Sequence, residues 1–550
     1  MIMKKLLTGN EAIARGVYEA GVSFASAYPG TPSTEILENV AQYDEIYSEW
    51  APNEKVAVEA AIGASMGGVR SFAAMKMVGL NVAADPMFTF AYQGINGGMV
   101  FVNADDPGMH SSQNEQDNRR YAKAMKICMF EPSDSQECLD MVKAAYDISE
   151  KYETPVMLRL TTRVDHSKSL VELGERRNVA AVPYIKQRDR LDDVPAVSKK
   201  RRYVVEEREK KLQDYAEQSP FNYEEMHDTK IGIVASGVAY MYAREALGEG
   251  ASYLKIGFSY PLPIEKIRAF AAKVDELYVV EELDPVMEEQ LKAAGIACHG
   301  KDVIPKIDEL NPNIVAAGIL KKETHGVSVP DSSFVPRPPA LCAGCPHRGF
   351  FYELGQRRDT VMVGDIGCYA LGGSAPLNAK DLASCMGSAF SVGHGLSHAF
   401  SLSGQKKRVV ACMGDSTFFH TGMNALTEVA YNGSNTICVI LDNRITGMTG
   451  HQDNPGTGYN IKGEPATRID IEKVVKALCI ERVRTVNPLD LKAMKEALDW
   501  AYAAEDEASV IITKWPCVLK KFSKEDKEQF DLDRSPCVID AEKCIGCRKC

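Results

Sequence analysis

The sequence has no uncharged apolar run near the roughly 18 residues that a membrane-spanning helix needs, so a membrane role is not expected. It also lacks an excess of positive charge: 64 Lys and Arg stand against 75 Asp and Glu, a net charge of -11. A nucleic-acid backbone attracts the opposite balance, so nucleic acid is not an expected partner. The N-terminus, MIMKKLLTGNEAIARG, has neither the apolar core nor the small-residue cleavage site of a secretory leader, which points to the cytoplasm. Cysteine is nearly missing before residue 340, where only Cys128, Cys138 and Cys298 occur; twelve of the fifteen follow. In a cytoplasmic chain, closely spaced cysteines indicate metal or iron–sulfur ligation before disulfides. Cys412, Cys438 and Cys479 lie singly in apolar runs and read as small buried hydrophobes.

What is present is ordinary globular material, 550 residues with 45% hydrophobic and 25% charged, enough for about three to four domains. Residues 1–165 alternate apolar strand-like runs (Val22–Ala27, Ser71–Met77, Met99–Asn103, Val156–Leu160) with helical patterns over Thr31–Gln42 and Lys55–Val69. That alternation predicts a parallel sheet covered by helices. Residues 166–228 are charge-dense and read as a linker with one exposed helix. A second α/β pattern runs over 229–325 and ends at the Pro-rich VSVPDSSFVPRPPALC. A third α/β unit spans 326–522, and a polar tail, 523–550, ends in cysteines.

Two strand ends carry the first chemistry. VVACMGDS closes on Gly414-Asp415-Ser416, and twenty-eight residues after Asp415 the run ICVILDN closes on Asp442-Asn443. In an α/β sheet both ends lie at the carboxyl edge, where ligands bind. A carboxylate and an amide oxygen there can hold Mg²⁺, which completes its octahedron with ligand phosphates. Gly414 and Ser416 leave backbone N–H groups free to approach a phosphate at the following helix start.

The pair resembles the thiamine diphosphate motif, Gly-Asp-x followed after about thirty residues by Asn. GDSTFFHTG and DNRITGMTGHQDNPG further resemble the 2-oxoacid:ferredoxin oxidoreductase superfamily, in its aryl-pyruvate branch, over essentially the whole chain. Ser416 stands where Gly is more common and Asp442 where Asn is; neither change removes a side-chain ligand. The resemblance implies an α/β protein with PYR-like and PP-like thiamine domains (1–165 and 326–522), a transketolase C-terminal-like domain (229–325) and a truncated ferredoxin-like tail. It implies that the side chains of Asp415 and Asn443 and the carbonyl of Ile445 ligate Mg²⁺, with Gly414, Ser416, Gly447, Cys368 and His347 lining the cofactor pocket.

Thiamine chemistry also needs a Glu on the aminopyrimidine ring. The family spacing, a Glu followed nine residues on by Gly63, then Gly68 and Gly79-Leu80, selects Glu54 over Glu59. In YPGTPST, Ser33 or Thr34 can cap a helix. The resemblance adds that Thr31 donates to the substrate carbonyl. It likewise makes Arg119, rather than Arg120, the residue gripping the substrate carboxylate, a task suited to a guanidinium fork.

The cysteines form two groups. Cys342-Ala343-Gly344-Cys345, Cys368 and Cys517 occur in the order that, in single-chain pyruvate enzymes of the superfamily, binds the [4Fe–4S] cluster nearest thiamine. A zinc site and unligated thiols are the alternatives. Cys544, Cys547 and Cys550 match three-quarters of a bacterial ferredoxin motif. The implied activity is oxidative decarboxylation of aryl 2-oxoacids such as indolepyruvate and phenylpyruvate to acyl-CoA and CO₂. Electrons pass to ferredoxin, in a hetero-oligomer with a smaller beta subunit. The alternatives are a non-oxidative thiamine decarboxylase, sharing Asp415, Asn443 and Glu54 but having no use for clustered cysteines, and a 2-oxoacid:ferredoxin oxidoreductase of different substrate specificity.

Overall fold

A computed structural model describes residues 3–322, 329–335, 337–532 and 538–546. The chain divides into two units, Met1–Val329 and Pro330–Cys550. Among the described residues, no helix is long and apolar enough to cross a membrane.

In the first unit, β1 (Met3–Thr8) stands apart from the main sheet, which is built from β2 (Phe24–Ala27), β3 (Tyr47–Trp50), β4 (Ser71–Lys76), β5 (Met99–Asp105), β6 (Met129–Phe130) and β7 (Val156–Thr161). β8 (Lys168–Leu173) pairs antiparallel with β1. β9 (Asn222–Glu225), β10 (Ile231–Ser236), β11 (Ser252–Ile256), β12 (Phe258–Tyr260) and β13 (Glu276–Val280) follow. The main sheet has the order β12-β6-β7-β5-β4-β2-β3, and a smaller one has the order β13-β10-β11-β9. All pairs of the main sheet are parallel except β12–β6. Its central strands β4, β5 and β7 are buried at every position, so they read as continuous apolar runs rather than alternations.

The stretch read as a linker is structural. β8 and β9 belong to sheets, and the helix Pro195–Gln218 buries Val205, Arg208, Leu212 and Ala216. Its apolar stripe is thin, so the many charges on its other faces hide it from a composition reading. Arg208 is itself buried, donating to the carbonyl of Ala91 at 2.6 Å and of Glu153 at 3.1 Å. The expected separation of residues 1–165 from 229–325 also fails at one strand, since β12 completes the first sheet.

The second unit is a five-stranded parallel sheet of β14 (Thr360–Val363), β15 (Arg408–Gly414), β16 (Ile437–Asp442), β17 (Val483–Val486) and β18 (Ser509–Lys514). The order is β14-β15-β16-β18-β17. The helix Ala389–Leu402 crosses β15 closely because Gly393 has no side chain: an added Cβ would meet that of Ala411 at 2.9 Å. Cys412 and Cys438 are buried as expected, but Cys479 is exposed, in a left-handed conformation just past a helix end.

Candidate functional site

The carboxyl edge of the second unit's sheet gathers the sequence motif. Asp415 follows β15 and is 2% exposed. Its Oδ1 accepts from the Ser416 N–H at 2.8 Å, while Oδ2 is buried with no hydrogen-bond partner. Burial, reinforced by the neighbouring Asp442 charge, pushes its pKa up to about 8. Asn443 follows β16; its Oδ1 accepts from the Ile445 N–H at 3.2 Å and its amide nitrogen lies 3.4 Å from His347 Nε2. Thr446 Oγ1 donates to Ser416 Oγ at 2.9 Å, which ties the two strand-end loops together.

His347 is buried and its pKa is pushed down to about 4 by desolvation, so the ring is neutral and can accept from the Asn443 amide. It packs edge-on against Tyr369. Gly414 must lack a side chain, because a Cβ there would meet the Tyr369 ring at 2.8 Å. A side chain at Gly447 would begin 3.7 Å from Cys368 Sγ and 3.8 Å from the Asn443 amide nitrogen, filling the space between them.

Three polar residues were not singled out by sequence. Asp365, in GDIGC, is buried and accepts from the N–H groups of Ile366, Gly387 and Ala389 at 2.7, 2.8 and 2.9 Å, fixing the start of the helix Ala389–Leu402. Asn454 acts on Asp415 to favour its charged form, yet its own amide nitrogen is buried without a partner. Lys76 ends β4 in the first unit as the one charge in an apolar run, a signal that was available in the sequence.

Thiamine diphosphate with Mg²⁺ fits this donor set. Asp415 offers an orphaned buried carboxylate oxygen, which a hard cation satisfies. Asn454 offers an orphaned amide donor, which an anionic phosphate oxygen satisfies.

The four internal cysteines are also in this unit. Cys342 is exposed, Cys368 and Cys517 are half-buried, and Cys345 is buried. The Cys345 thiol is pushed up to about 12 by desolvation, with smaller contributions from Cys517, Cys368 and Cys342. The Cys517 N–H donates to the Asn443 carbonyl at 2.9 Å, so its loop is pinned to the motif. Among the described residues, no three His, Cys, Asp or Glu side chains are arranged to hold a metal ion. Cys342, Cys368 and Cys517 are electrostatic neighbours of Cys345. In the tail Cys544 is exposed, and Cys547 and Cys550 lie outside the described residues.

In the first unit, Glu54 opens the helix Glu54–Met66, which Asn53 caps by accepting from the Val56 N–H at 2.9 Å. Its buried side chain rests on Gly79, where an added Cβ would meet Glu54 Oε1 at 2.7 Å. Glu59 faces outward, 44% exposed and paired with Lys55. Thr31 follows β2, with its carbonyl accepting from Ser111 Oγ at 3.3 Å. Neither Ser33 nor Thr34 caps the next helix as expected: Ser33 is at the cap position without a capping bond, and its hydroxyl instead donates to the Gly30 carbonyl at 2.9 Å.

Arg119 requires a correction. Its side chain is 1% exposed. The guanidinium donates to Asp117 at 2.9 Å, to Glu281 at 2.7 Å and to the carbonyls of Glu282 and Asp284 at 2.8 and 2.9 Å. It staples the segment after β5 to the segment after β13, so in this structure it cannot grip a substrate. Arg119→Ala should leave Asp117 and Glu281 buried without their direct ion-pair partner, at a cost of about 3–5 kcal/mol. Chemical denaturation should show that loss as a lowered midpoint; an unchanged midpoint would remove Arg119 from the core network.

Comparison with known proteins follows the same division. The family described as "Thiamine pyrophosphate enzyme, C-terminal TPP binding domain" matches residues 365–513. "Pyruvate flavodoxin/ferredoxin oxidoreductase, thiamine diP-bdg" matches residues 15–229. A thiamine diphosphate-dependent oxidoreductase of 2-oxoacids is the class that these halves define. Within it, the chain belongs to the indolepyruvate oxidoreductase IorA family. It is 39% identical to the IorA subunit of Archaeoglobus fulgidus over 99% of this chain and 91% of that one. To the IorA subunit of Methanothermobacter marburgensis it is 40% identical over 99% of this chain and 90% of that one. The solved 2-oxoglutarate:ferredoxin oxidoreductase of Magnetococcus marinus shares the fold at a TM-score of 0.50 and 17% identity, over 58% of this chain and 65% of that one.

Proposed function

We propose that this chain is the large subunit of a cytoplasmic oxidoreductase. It decarboxylates aryl 2-oxoacids, indolepyruvate and phenylpyruvate among them, with coenzyme A as acyl acceptor and ferredoxin as electron acceptor. The names of its IorA relatives support the substrate class. The observation that carries the chemistry is the Asp415–Asn443 pair at one sheet edge, with its unsatisfied carboxylate oxygen.

Thiamine diphosphate, when bound, supplies the electron sink for decarboxylation. Asp415, Asn443 and the Ile445 carbonyl are the residues for its Mg²⁺, and the Gly414–Ser416 backbone and Asn454 those for its diphosphate. Neutral His347 holds the Asn443 amide from behind. Glu54 is the carboxyl for an aminopyrimidine and exchanges a proton with it. Thr31 offers a hydroxyl to the substrate carbonyl.

Assay of the complex with the smaller subunit, under anaerobic conditions with a viologen acceptor and coenzyme A, tests the reading. Aryl pyruvates should exceed pyruvate in kcat/KM. Preference for pyruvate would overturn the substrate class, and aldehyde formation without acceptor reduction would make the enzyme non-oxidative.

Cys342, Cys345, Cys368 and Cys517 are proposed to hold a [4Fe–4S] cluster within the second unit, and the terminal cysteines a ferredoxin-type one. A chain ending at residue 532 keeps the helix Lys524–Gln529, whose Gln529 accepts from Arg444 at 2.7 Å. Prepared anaerobically, it should retain about four iron atoms and broad absorbance near 400 nm. Iron-free protein would assign all iron to the tail.

A further inference from the structure

β4 is buried at every position and ends in a lysine. Lys76 is 8% exposed. Its ammonium makes one hydrogen bond, from Nζ to the Ser111 carbonyl at 2.6 Å. Among the described residues no carboxylate reaches ion-pair distance, so two of its three N–H donors are uncommitted. A buried ammonium with no carboxylate in contact is costly to hold, and a fold that keeps one has a use for it.

The surrounding groups leave that charge open. Asp106 and Glu54 favour the charged ammonium from a distance, but burial outweighs them and lowers its pKa. Asp106 is already spent on the Ser111 N–H at 2.9 Å, the Ser112 hydroxyl at 2.6 Å and the Thr162 hydroxyl at 2.7 Å. Lys76 is also the cap residue of the helix Met77–Gln93, whose N-terminus no side chain caps. An open helix N-terminus and an uncommitted ammonium both call for negative charge at the same place.

The neighbours identify which anion suits it. The turn carrying Thr31 lies along the lysine stem, since a Cβ on Gly30 would meet Lys76 Cβ at 2.9 Å. Ser111, whose carbonyl holds Nζ, also donates to the Thr31 carbonyl. Glu54 rests on Gly79, in the first turn of the same helix.

We propose that Lys76 anchors the carboxylate of the 2-oxoacid, while Thr31 takes the adjacent carbonyl. This rests on the reading of the chain as a 2-oxoacid oxidoreductase, and it gives Lys76 the role that burial denies Arg119. A desolvated ion pair of this kind is lost with one partner at a cost of about 30-fold or more in affinity.

Calorimetry on the assembled complex tests it with two unreactive probes, indole-3-propionate and its neutral amide. Lys76→Gln and Lys76→Met should weaken the acid about 30-fold or more and leave the amide unchanged. Lys76→Arg should retain part of the affinity for the acid. The KM of every 2-oxoacid should rise in the neutral variants, with Mg²⁺–thiamine diphosphate affinity unchanged. Their melting temperature should stay level or rise, because a buried charge that burial disfavours and no carboxylate contacts is removed; a merely structural lysine would lower it. Equal binding of the acid by wild type and Lys76→Gln would overturn the anchor, as would equal loss of acid and amide, or wild-type protein that binds cofactor but neither probe. Wild-type protein that binds no thiamine diphosphate would instead overturn the underlying functional reading.

Discussion

Asp415→Ala is expected to lose Mg²⁺-dependent binding of thiamine diphosphate. The diphosphate brings several negative charges to a sheet edge where Asp415 and Asp442 already repel each other. The cation that reconciles them depends on a hard anionic donor, and Asp415 Oδ2 is the one held ready and unpartnered. Loss of a residue that merely orients a metal ligand costs about 10–100-fold in affinity, so loss of the ligand itself should exceed that range. Asp415→Asn sharpens the test. It keeps the shape and replaces a carboxyl whose ionisation burial already disfavours, so the cofactor-free protein should be about as stable as wild type while binding is still lost. Titration calorimetry with Mg²⁺ reads the first effect and thermal denaturation the second. Unchanged cofactor affinity in both variants would sink the assignment.

Glu54→Gln is expected to fold and to bind cofactor, yet to exchange the cofactor's C2 proton about 10²–10⁴-fold more slowly, the range spanned by general acid–base groups. The amide can fill the space over Gly79 but cannot pass a proton as a carboxyl does. The structural cost should be small: a negative charge in the first turn of a helix is worth about 0.3–1 kcal/mol. Proton–deuterium exchange followed by NMR measures the effect directly. Glu59→Gln should be silent, because that side chain is exposed and paired with Lys55. The reverse pattern would mean that the wrong carboxylate has been chosen.

The placement of Asp415 and Asn443 was legible in the sequence for a physical reason. Asp415 and Asn443 each close an uninterrupted apolar run, and a parallel sheet delivers both ends to one edge. The central strands were legible too: Ser71–Met77 and Val156–Leu160 were expected, and Ser71–Lys76 and Val156–Thr161 are observed. What stayed hidden depends on distant partners. Arg119 reads as a substrate clamp because its segment resembles the one that holds the carboxylate in the family; Asp117 is a local partner, but Glu281, 162 residues away, gives no sequence sign that it completes the buried network. β8 and β9 were lost in charge-dense sequence, where an edge strand shows little apolar pattern. The lone lysine at the end of the apolar run, Lys76, is visible in the sequence but reads as a strand end; that no carboxylate contacts its buried ammonium depends on the fold.

The pairing of β12 with β6 has a consequence for how the protein is made. Phe258 lies opposite Phe130, so the edge strand Met129–Phe130 waits for its neighbour while well over a hundred further residues are translated. At roughly 5–20 residues per second, that interval lasts roughly 6 to 26 seconds. Once β7 has been made and pairs with β6, the nascent chain carries an open strand edge on a hydrophobic sheet, the surface that invites mispairing with other chains. Ribosome-associated chaperones should therefore engage this protein most strongly after Thr161 has emerged and release it once Tyr260 clears the exit tunnel.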